Sequence, residues 1–301
     1  MGKDETAVLE KEIAHAPEQH AAQDAVELFI AGNSAAVVDL SGVVEIDNDS
    51  YHADQTAVSS TVLKQILRSP AHMKAFQDQP HKTTPSRLIG NALHSAVLEP
   101  EKFDHDYIVW DGGDRRGKVY TSFVAENPGK SILTREEMDD VLGMCEAVLS
   151  YTEYPIGHLL RTGINERAFF WTDKQTGVRC KIKPDNVNDY CILDLKSTDD
   201  ARPFAFERQI AALGYDFQAA MYQDGHQNET GRLQDFYFIA VEDAPPYGVY
   251  VHQASPEMLA KGYADYRRAL DLYQNCLKTG QYPGYEKPFS VINLPKWALR
   301  K

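Results

Sequence analysis

The stretch KPDNVNDYCILDLKST, residues 183–198, indicates the fold and the chemistry of this chain. Its second half is an apolar strand that two charged residues interrupt, Asp194 and Lys196. Side chains alternate between the faces of a strand, so Asp194 and Lys196 share one face and Leu195 lies on the other. Burying such charges without compensation is costly. A divalent cation held between Asp194 and Asp185 would supply that compensation.

Hydrolysis of a phosphodiester is a reaction that needs these residue types. It requires hydroxide near neutral pH and neutralisation of the charge that develops in the transition state. Divalent ions provide both, and two of them about 3.5–4 Å apart can hold the attacking and leaving oxygens. Mg²⁺ prefers oxygen ligands, which aspartate offers and cysteine does not. A lysine ammonium beside the site can orient the water or help to deprotonate it.

Composition sets limits on the possible classes of protein. The 301 residues carry a net charge of −13 and are 43% hydrophobic, which is typical of a soluble chain. No apolar run approaches the roughly 20 residues that span a bilayer, and the N-terminus does not resemble a signal peptide. The cysteines include no CxxC pair, which argues against a zinc or iron–sulfur site and favours a reducing cytoplasm. The four cysteines are Cys145, Cys180, Cys191 and Cys276.

The negative charge is concentrated at the N-terminus. Residues 1–50 contain two basic and eleven acidic side chains, whereas the remainder contains 29 and 33. We therefore expect an acidic arm over residues 1–55, which could be mobile or docked, and a single domain over residues 56–301. Phosphate binding needs local positive charge rather than a positive total, so the acidic total does not exclude a nucleic acid. Basic residues cluster at Arg115, Arg116 and Lys118, at Arg179, Lys181 and Lys183, and at Arg202 and Arg208.

The order of helical and strand patterns predicts an α/β fold with its strands in the middle. Helices are expected over residues 58–76, with a break or restart at Pro70, over 87–100, and over 134–150, where Thr134 and Glu137 form a capping box. A hairpin is expected over 164–185, followed by a strand over 190–198 and one long helix over 206–225. Two strands around a Pro-Pro turn and a closing helix over 256–280 complete the pattern. Residues 111–131 are expected to form a loop.

These residues carry a resemblance to a known superfamily. Pro184-Asp185 followed by Asp194-Leu195-Lys196 resembles the motif of the PD-(D/E)XK nucleases. Three further features of the superfamily also have matching positions. They are an acidic residue that often precedes the motif, a QxxxY pair that lies on one helix face in the exonuclease branch, and an upstream histidine. Those positions are Glu166, Gln218, Tyr222 and His94.

The chain resembles the RecE-type exonucleases, the nuclease domain of exonuclease VIII, more closely. Six segments match in the right order and span roughly residues 58–298. The segments are SPAHMKAF, GNALHSAVLEP, TGVRCKIKPD, ILDLKST, FQAAMYQDG and INLPKWA. The resemblance implies a PD-(D/E)XK, restriction-endonuclease-like core, in which helices flank a central mixed sheet.

The resemblance also implies roles for individual residues. Asp185, Asp194 and the main-chain carbonyl of Leu195 would bind Mg²⁺, with Mn²⁺ as a substitute and two ions in all. His94 would complete the metal shell, and Glu166 would bind metal directly or through water. Beyond the metal ligands, Lys196 would position and activate the water, while Gln218 and Tyr222 would contact DNA or order Lys196.

The function implied is degradation of linear double-stranded DNA from 5′ to 3′, starting at DNA ends. The partners implied are a RecT-type single-strand annealing protein, which takes the 3′ strand for recombination, and further copies in a ring, by resemblance a tetramer. Such a protein would work in the cytoplasm of a bacterium and be encoded by a phage or prophage. An endonuclease or single-strand nuclease on the same core, and a non-catalytic DNA-binding module, are the alternatives.

Each residue also has a simpler interpretation. His94 could be a helix histidine with ordinary partners, Glu166 an ion-pair partner at a strand end, and Asp185 a turn residue. Gln218 and Tyr222 could be helix surface. The Gly-rich segment DGGDRRGK, residues 111–118, lacks the context of a P-loop. We expect it to contact a DNA end through Arg115, Arg116 or Lys118, with a solvated surface loop as the alternative.

Overall fold

The computed structural model describes residues 43–79, 84–287 and 289–295. The first 42 residues of the predicted acidic arm and the last three residues of INLPKWA lie outside the described residues. Among the helices of these described segments, none combines the length and the apolarity needed to cross a membrane.

Within the described residues, the strands form one central sheet and two small ones. The central sheet is mixed and has the order β10-β9-β8-β7-β4, in which only β8 and β9 are parallel neighbours. A three-stranded sheet has the order β1-β5-β6, and β2 pairs with β3. The strands are β1 (Val43–Val44), β2 (Tyr107–Trp110), β3 (Ser131–Thr134), β4 (Ile164–Asn165), β5 (Ala168–Thr172), β6 (Arg179–Ile182), β7 (Asn186–Val187), β8 (Cys191–Thr198), β9 (Asp235–Glu242) and β10 (Val249–Gln253).

Helices cover both faces of the central sheet, as expected for the predicted class. The helices are α1 (Asn48–Ala53), α2 (Ser60–Leu63), α3 (Pro70–Asp78), α4 (Pro85–Leu98), α5 (Pro100–Asp106), α6 (Gly117–Glu126), α7 (Arg135–Leu149), α8 (Ile156–Thr162), α9 (Pro203–Leu213), α10 (Tyr215–Thr230) and α11 (Pro256–Thr279), and a 3₁₀ turn (Lys64–Leu67) follows α2. The capping box predicted at the start of α7 is present with both of its hydrogen bonds.

Strand β8 lies at the centre of the sheet because it is apolar on both faces. Leu193 and Leu195 pack into a core cluster with side chains of α4 and α7. Ile192, one residue out of phase, packs into the opposite cluster with α10 and α11. The predicted alternation is therefore observed, and it places Asp194 on the α10 side of the sheet. The fold class predicted from the sequence is confirmed.

Residues 43–55, the described end of the predicted arm, pack on the rest of the chain. Val43 and Val44 pair with β5, and the Tyr51 side chain in α1 is buried. The Lys181 ammonium donates hydrogen bonds to the carbonyl oxygens of Tyr51 and Asp54. These contacts join α1 to the hairpin of β5 and β6, which forms as predicted.

The prediction of a loop over residues 111–131 is wrong, because α6 forms within it. Glycines and polar residues dominate the start of this stretch and obscured the helical pattern. Tyr120 and Phe123 lie three residues apart and both contact the Trp110 ring at the end of β2. That i, i+3 spacing was the local signal for the helix.

The single long helix predicted over residues 206–225 is also wrong, because Gly214 divides it into α9 and α10. Gly214 has φ of +67°, the left-handed conformation that commonly ends a helix. The chain changes direction there, and α10 can then run beside β8 with Gln218 facing Asp194. This break therefore brings the predicted QxxxY pair to the site.

We expect Gly214→Ala to lower the free energy of unfolding by about 1–2 kcal/mol, because a Cβ disfavours the left-handed conformation. Gly214→Asn is the matched variant and should cost less, since asparagine tolerates this conformation. Urea denaturation of both variants measures the difference. Equal stability of the alanine variant and the wild type would contradict the assigned backbone conformation.

Candidate active site

The site begins where β8 extends beyond its short neighbour β7, which leaves one edge of β8 unpaired. Strand β7 pairs with β8 only as far as Asn186 opposite Leu193, so the backbone of Leu195 has no strand partner on that side. The Leu195 N–H instead donates to Asp185 Oδ2 at 2.6 Å, and its carbonyl oxygen accepts from His94 Nε2 at 2.9 Å. One residue of the central strand thus fixes two side chains that are 91 positions apart in sequence.

Glu166 joins these two residues to form a compact ligand cluster. His94 Nδ1 lies 3.3 Å from Asp185 Oδ1 and 3.9 Å from Glu166 Oε1. One ligand atom from each of the three residues lies within 4.8 Å of the others. The Asp185 and Glu166 side chains are only 10% and 13% exposed. Three ionisable groups that are distant in sequence therefore converge in a largely desolvated place.

The protonation of His94 shows how strongly negative this cluster is. Burial alone would lower the pKa of His94, but the carboxylates of Asp185 and Glu166 outweigh burial and raise the pKa to about 10. Both ring nitrogens face acceptors, which favours the imidazolium form, and the ring would lose a proton on binding a metal. The cluster thus attracts a positive charge, and a divalent cation would neutralise the two carboxylates more completely than the imidazolium does.

The donor set fits a divalent cation. Carboxylate oxygens from Asp185 and Glu166 and a ring nitrogen of His94 lie within 4.8 Å of one another. The Leu195 carbonyl oxygen lies against the other ring nitrogen of His94. Such oxygen-rich sets suit Mg²⁺ and Mn²⁺ rather than softer metals. This set differs from the predicted one in the part played by Asp194, which is engaged elsewhere.

Asp194 lies on the opposite side of its strand from Leu195 and is completely buried. Its Oδ1 accepts from Gln218 Nε2 at 3.1 Å, and its Oδ2 lies in ion-pair contact with the Lys196 ammonium, without a regular hydrogen bond. An oxygen held by this ion pair alone can also turn toward a second cation. Burial raises the pKa of Asp194 to about 6, because the neighbouring Lys196 ammonium offsets only part of the effect of burial.

Lys196 is the charged group closest to this buried carboxylate. Its Nζ also lies 3.4 Å from the Leu195 carbonyl oxygen and 5.1 Å from the centre of the Tyr215 ring. Burial lowers the pKa of Lys196, but Asp194 and Asp185 outweigh it, so the pKa is raised. Lys196 is therefore an ammonium ion, a donor of hydrogen bonds rather than a base.

Gln218 and Tyr222 act on Asp194 from α10. Gln218 donates to Asp194 Oδ1, and burial raises the pKa of Tyr222, four residues further along α10, well above its usual value. Tyr222 therefore stays a neutral phenol on the same face of α10 as Gln218. Of the two predicted alternatives, DNA contact or ordering of Lys196, the contacts favour ordering, through the carboxylate that Lys196 pairs with.

The predicted DNA-contacting residues are not brought to this cluster by any described contact. Arg115 pairs with Glu137 and donates to the Ile132 carbonyl, which ties it to the start of α7. Arg116 pairs with Asp114, and Lys118 is exposed in the first turn of α6. Contact of these residues with a DNA end stays a prediction.

Lys183 is a residue of the site that the sequence reasoning did not single out. Its ammonium lies 2.9 Å from Glu166 Oε2, although its side chain is only 7% exposed. The sequence signal is its position two residues before Asp185, directly after β6. The sequence alone places Lys183 with Arg179 and Lys181 in a basic cluster.

A metal test follows from the cluster. We expect Mn²⁺ to raise the melting temperature of the wild type, because a ligand that binds only the folded state stabilises it, by about 2.7 kcal/mol at 100 times its Kd. Asp185→Asn should abolish this rise. Asp173→Asn is the control, since Asp173 is another buried aspartate that pairs with Arg267. An unchanged Mn²⁺ response in Asp185→Asn would exclude this ligand set.

The mixed sheet, the Pro-Asp turn before β7 and the Asp-Leu-Lys sequence on β8 define a PD-(D/E)XK-type domain, the class to which many nucleases belong. Residues 59–289 match the family described as a PDDEXK-like domain of unknown function, DUF3799. The chain belongs to this family, and the resemblance to the PD-(D/E)XK superfamily is confirmed. Proteins of this superfamily typically use divalent metals.

Two solved structures are similar to the chain. The first is named "Putative exonuclease" from Eubacterium rectale, with 14% identity and a TM-score of 0.53 over 82% of this chain and 97% of that one. The second is an alkaline exonuclease from Laribacter hongkongensis, with 12% identity and a TM-score of 0.29 over 78% of this chain and 97% of that one. The first supports the fold, and the second is too distant to carry an argument. No curated protein matches the chain.

Proposed function

We propose that this protein is an Mg²⁺-dependent exodeoxyribonuclease that degrades linear double-stranded DNA from 5′ to 3′ and leaves a 3′ single strand. The observation that carries the proposal is the convergence of His94, Glu166 and Asp185 on one position, with the Lys196 ammonium beside the Leu195 carbonyl. The Lys196 ammonium beside this cluster would also supply positive charge where phosphodiester hydrolysis develops negative charge.

The residues divide the work of hydrolysis between them. His94, Glu166, Asp185 and the Leu195 carbonyl would hold the metal, with Asp194 as a further ligand, and the metal would supply hydroxide near neutral pH and charge neutralisation. Mn²⁺ would serve as a substitute, and a stoichiometry of two ions would match the two-ion chemistry.

Lys196 is protonated, so it orients the attacking water by donating a hydrogen bond and stabilises the charge that develops on the phosphate. Gln218 fixes the Asp194 carboxylate that holds Lys196 in place. The ion pair with Asp194 favours the ammonium form of Lys196.

The proposed setting follows from the products. A 3′ single strand is the substrate of an annealing protein of the RecT type, and a ring of subunits, by resemblance a tetramer, would keep the enzyme on one DNA end. Basic residues lining such a ring would reconcile DNA binding with a net charge of −13. We propose that the protein works in recombination in a bacterial cytoplasm, encoded by a phage or prophage.

The deciding experiment uses three DNA substrates with Mg²⁺. A linear duplex labelled at the 5′ end should release its label in the first products, and the same duplex labelled at the 3′ end should release it late. A covalently closed circular duplex should stay intact, because it offers no end. Nicking of the circle would favour an endonuclease, preference for single strands would favour a single-strand nuclease, and binding without degradation would favour a non-catalytic module.

A further inference from the structure

A chain of contacts connects the metal cluster to α1. The Lys183 ammonium lies 2.9 Å from Glu166 Oε2 and donates to Asn48 Oδ1 at 2.6 Å. Asn48 is the first residue of α1, and the Asp47 side chain caps that helix by accepting from the Ser50 N–H. The order of contacts is therefore Asn48, Lys183, Glu166 and then His94.

The backbone of Glu166 is held as firmly as its side chain. Its φ of +52° is left-handed, which is uncommon for a residue with a Cβ, and its N–H donates to the Asp185 carbonyl at 3.1 Å. Such a conformation persists only where its surroundings fix it, and it is most common at functional sites. With Oε2 taken by Lys183, Oε1 is the oxygen that faces His94.

We propose that Lys183 is a positioning residue, which fixes the Glu166 carboxylate so that Oε1 is presented to a divalent cation in the cluster with His94 and Asp185. Asn48 holds the Lys183 ammonium in turn, so α1 is part of the support of the metal site. This inference rests on the proposed function for its metal. It goes beyond that function because it assigns a role to a residue and a segment outside the nuclease motif.

Two effects of Lys183 on a bound cation have opposite signs, and they can be separated. Its positive charge repels the cation, so charge alone predicts tighter binding when Lys183 is removed. Its hydrogen bond orients a ligand, and loss of such a partner typically weakens metal affinity by about 10–100-fold. The short contacts and low exposure of Lys183 favour the second effect, because an oriented carboxylate loses little entropy when it binds.

Lys181 provides a matched control two residues earlier. It is also buried, it holds the same segment through the carbonyls of Tyr51 and Asp54, and its ammonium lies 4.5 Å from the centre of the Tyr51 ring. No described contact joins Lys181 to Glu166. Lys181→Met therefore loosens α1 without touching the carboxylate.

The test is Mn²⁺ affinity, measured by calorimetry and by the electron paramagnetic resonance signal of free Mn²⁺, on the full chain without DNA. Lys183→Met should weaken the affinity about 10–100-fold. Lys183→Arg, which keeps a donor and a charge, should restore most of the affinity. Asn48→Ala, a change at an exposed position that leaves the core intact, should weaken it in the same direction but less. Lys181→Met should lower the melting temperature and leave the affinity unchanged.

Equal or tighter Mn²⁺ binding in both Lys183→Met and Asn48→Ala would overturn the inference, as would a wild type that binds no Mn²⁺. A loss of affinity in Lys181→Met as large as in Lys183→Met would overturn it too, by showing that docking of α1 alone matters. These readouts need no DNA. A wild type that binds Mn²⁺ but degrades no DNA would therefore refute the proposed function and leave this inference to its own result.

Discussion

Lys196→Met should lower the rate of DNA degradation by about 10²–10³-fold, the range that removal of one preorganised hydrogen-bond donor to the transition state typically costs. The change removes the only ammonium that the described contacts place against both Asp194 and the Leu195 carbonyl. It also leaves Asp194 as a completely buried carboxylate without its counter-ion. Breaking a buried pair in this way typically costs about 3–5 kcal/mol of stability. A lost rate could therefore have two causes.

A double variant tests whether the lost rate follows from the lost stability. Asp194→Asn combined with Lys196→Met removes both charges, and replacing a buried pair by neutral groups is often tolerated. The double variant should thus recover much of the stability that Lys196→Met loses, while its rate stays at the low level. Urea denaturation and initial rates on a linear duplex provide the two measurements. Recovery of activity together with stability would show that Lys196 has only a structural role.

The parts of the fold that could be predicted are those with local signals. The β8 strand shows apolar alternation, and the start of α7 shows a capping box in the spacing of Thr134 and Glu137. The break at Gly214 also had a local signal, but helical periodicity continues on both sides of it, so the pattern predicted one helix. Periodicity shows which residues are helical, but it does not show whether two helical segments share one helix axis.

The site is harder to predict because its contacts are not local. Alternation correctly placed Asp194 and Lys196 on one face, yet it could not show that the open edge of β8 would recruit Asp185 and His94 to the backbone of Leu195. The resemblance supplied the names of the residues and not this geometry. Lys183 was missed for the same reason, since a buried lysine and a solvated lysine are identical in a sequence.

The helix that carries Gln218 depends on a close approach that only glycine permits. At Gly262 in α11, an added Cβ would lie 2.1 Å from the Asp216 carbonyl oxygen and 2.5 Å from the carbonyl carbon in α10. Backbone atoms cannot yield as a flexible side chain does, so the two helices must separate. We expect Gly262→Ala to lower the free energy of unfolding by about 1–3 kcal/mol, the usual cost of overpacking.

The same displacement should reach the active site. Gln218 lies two residues after Asp216 on α10 and donates to Asp194. A shift of α10 therefore moves Gln218 away from Asp194, the carboxylate that pairs with Lys196. A misplacement of about 1 Å can cost up to about 100-fold in rate, so Gly262→Ala should lose activity as well as stability at temperatures where it is fully folded. Gly90→Ala is the matched control, because Gly90 lies in α4 with His94 and an added Cβ there meets nothing within 4 Å. If Gly262→Ala lost stability but kept the wild-type rate, the position of α10 would not control the site, and Gln218 would be dispensable for ordering Asp194 and Lys196.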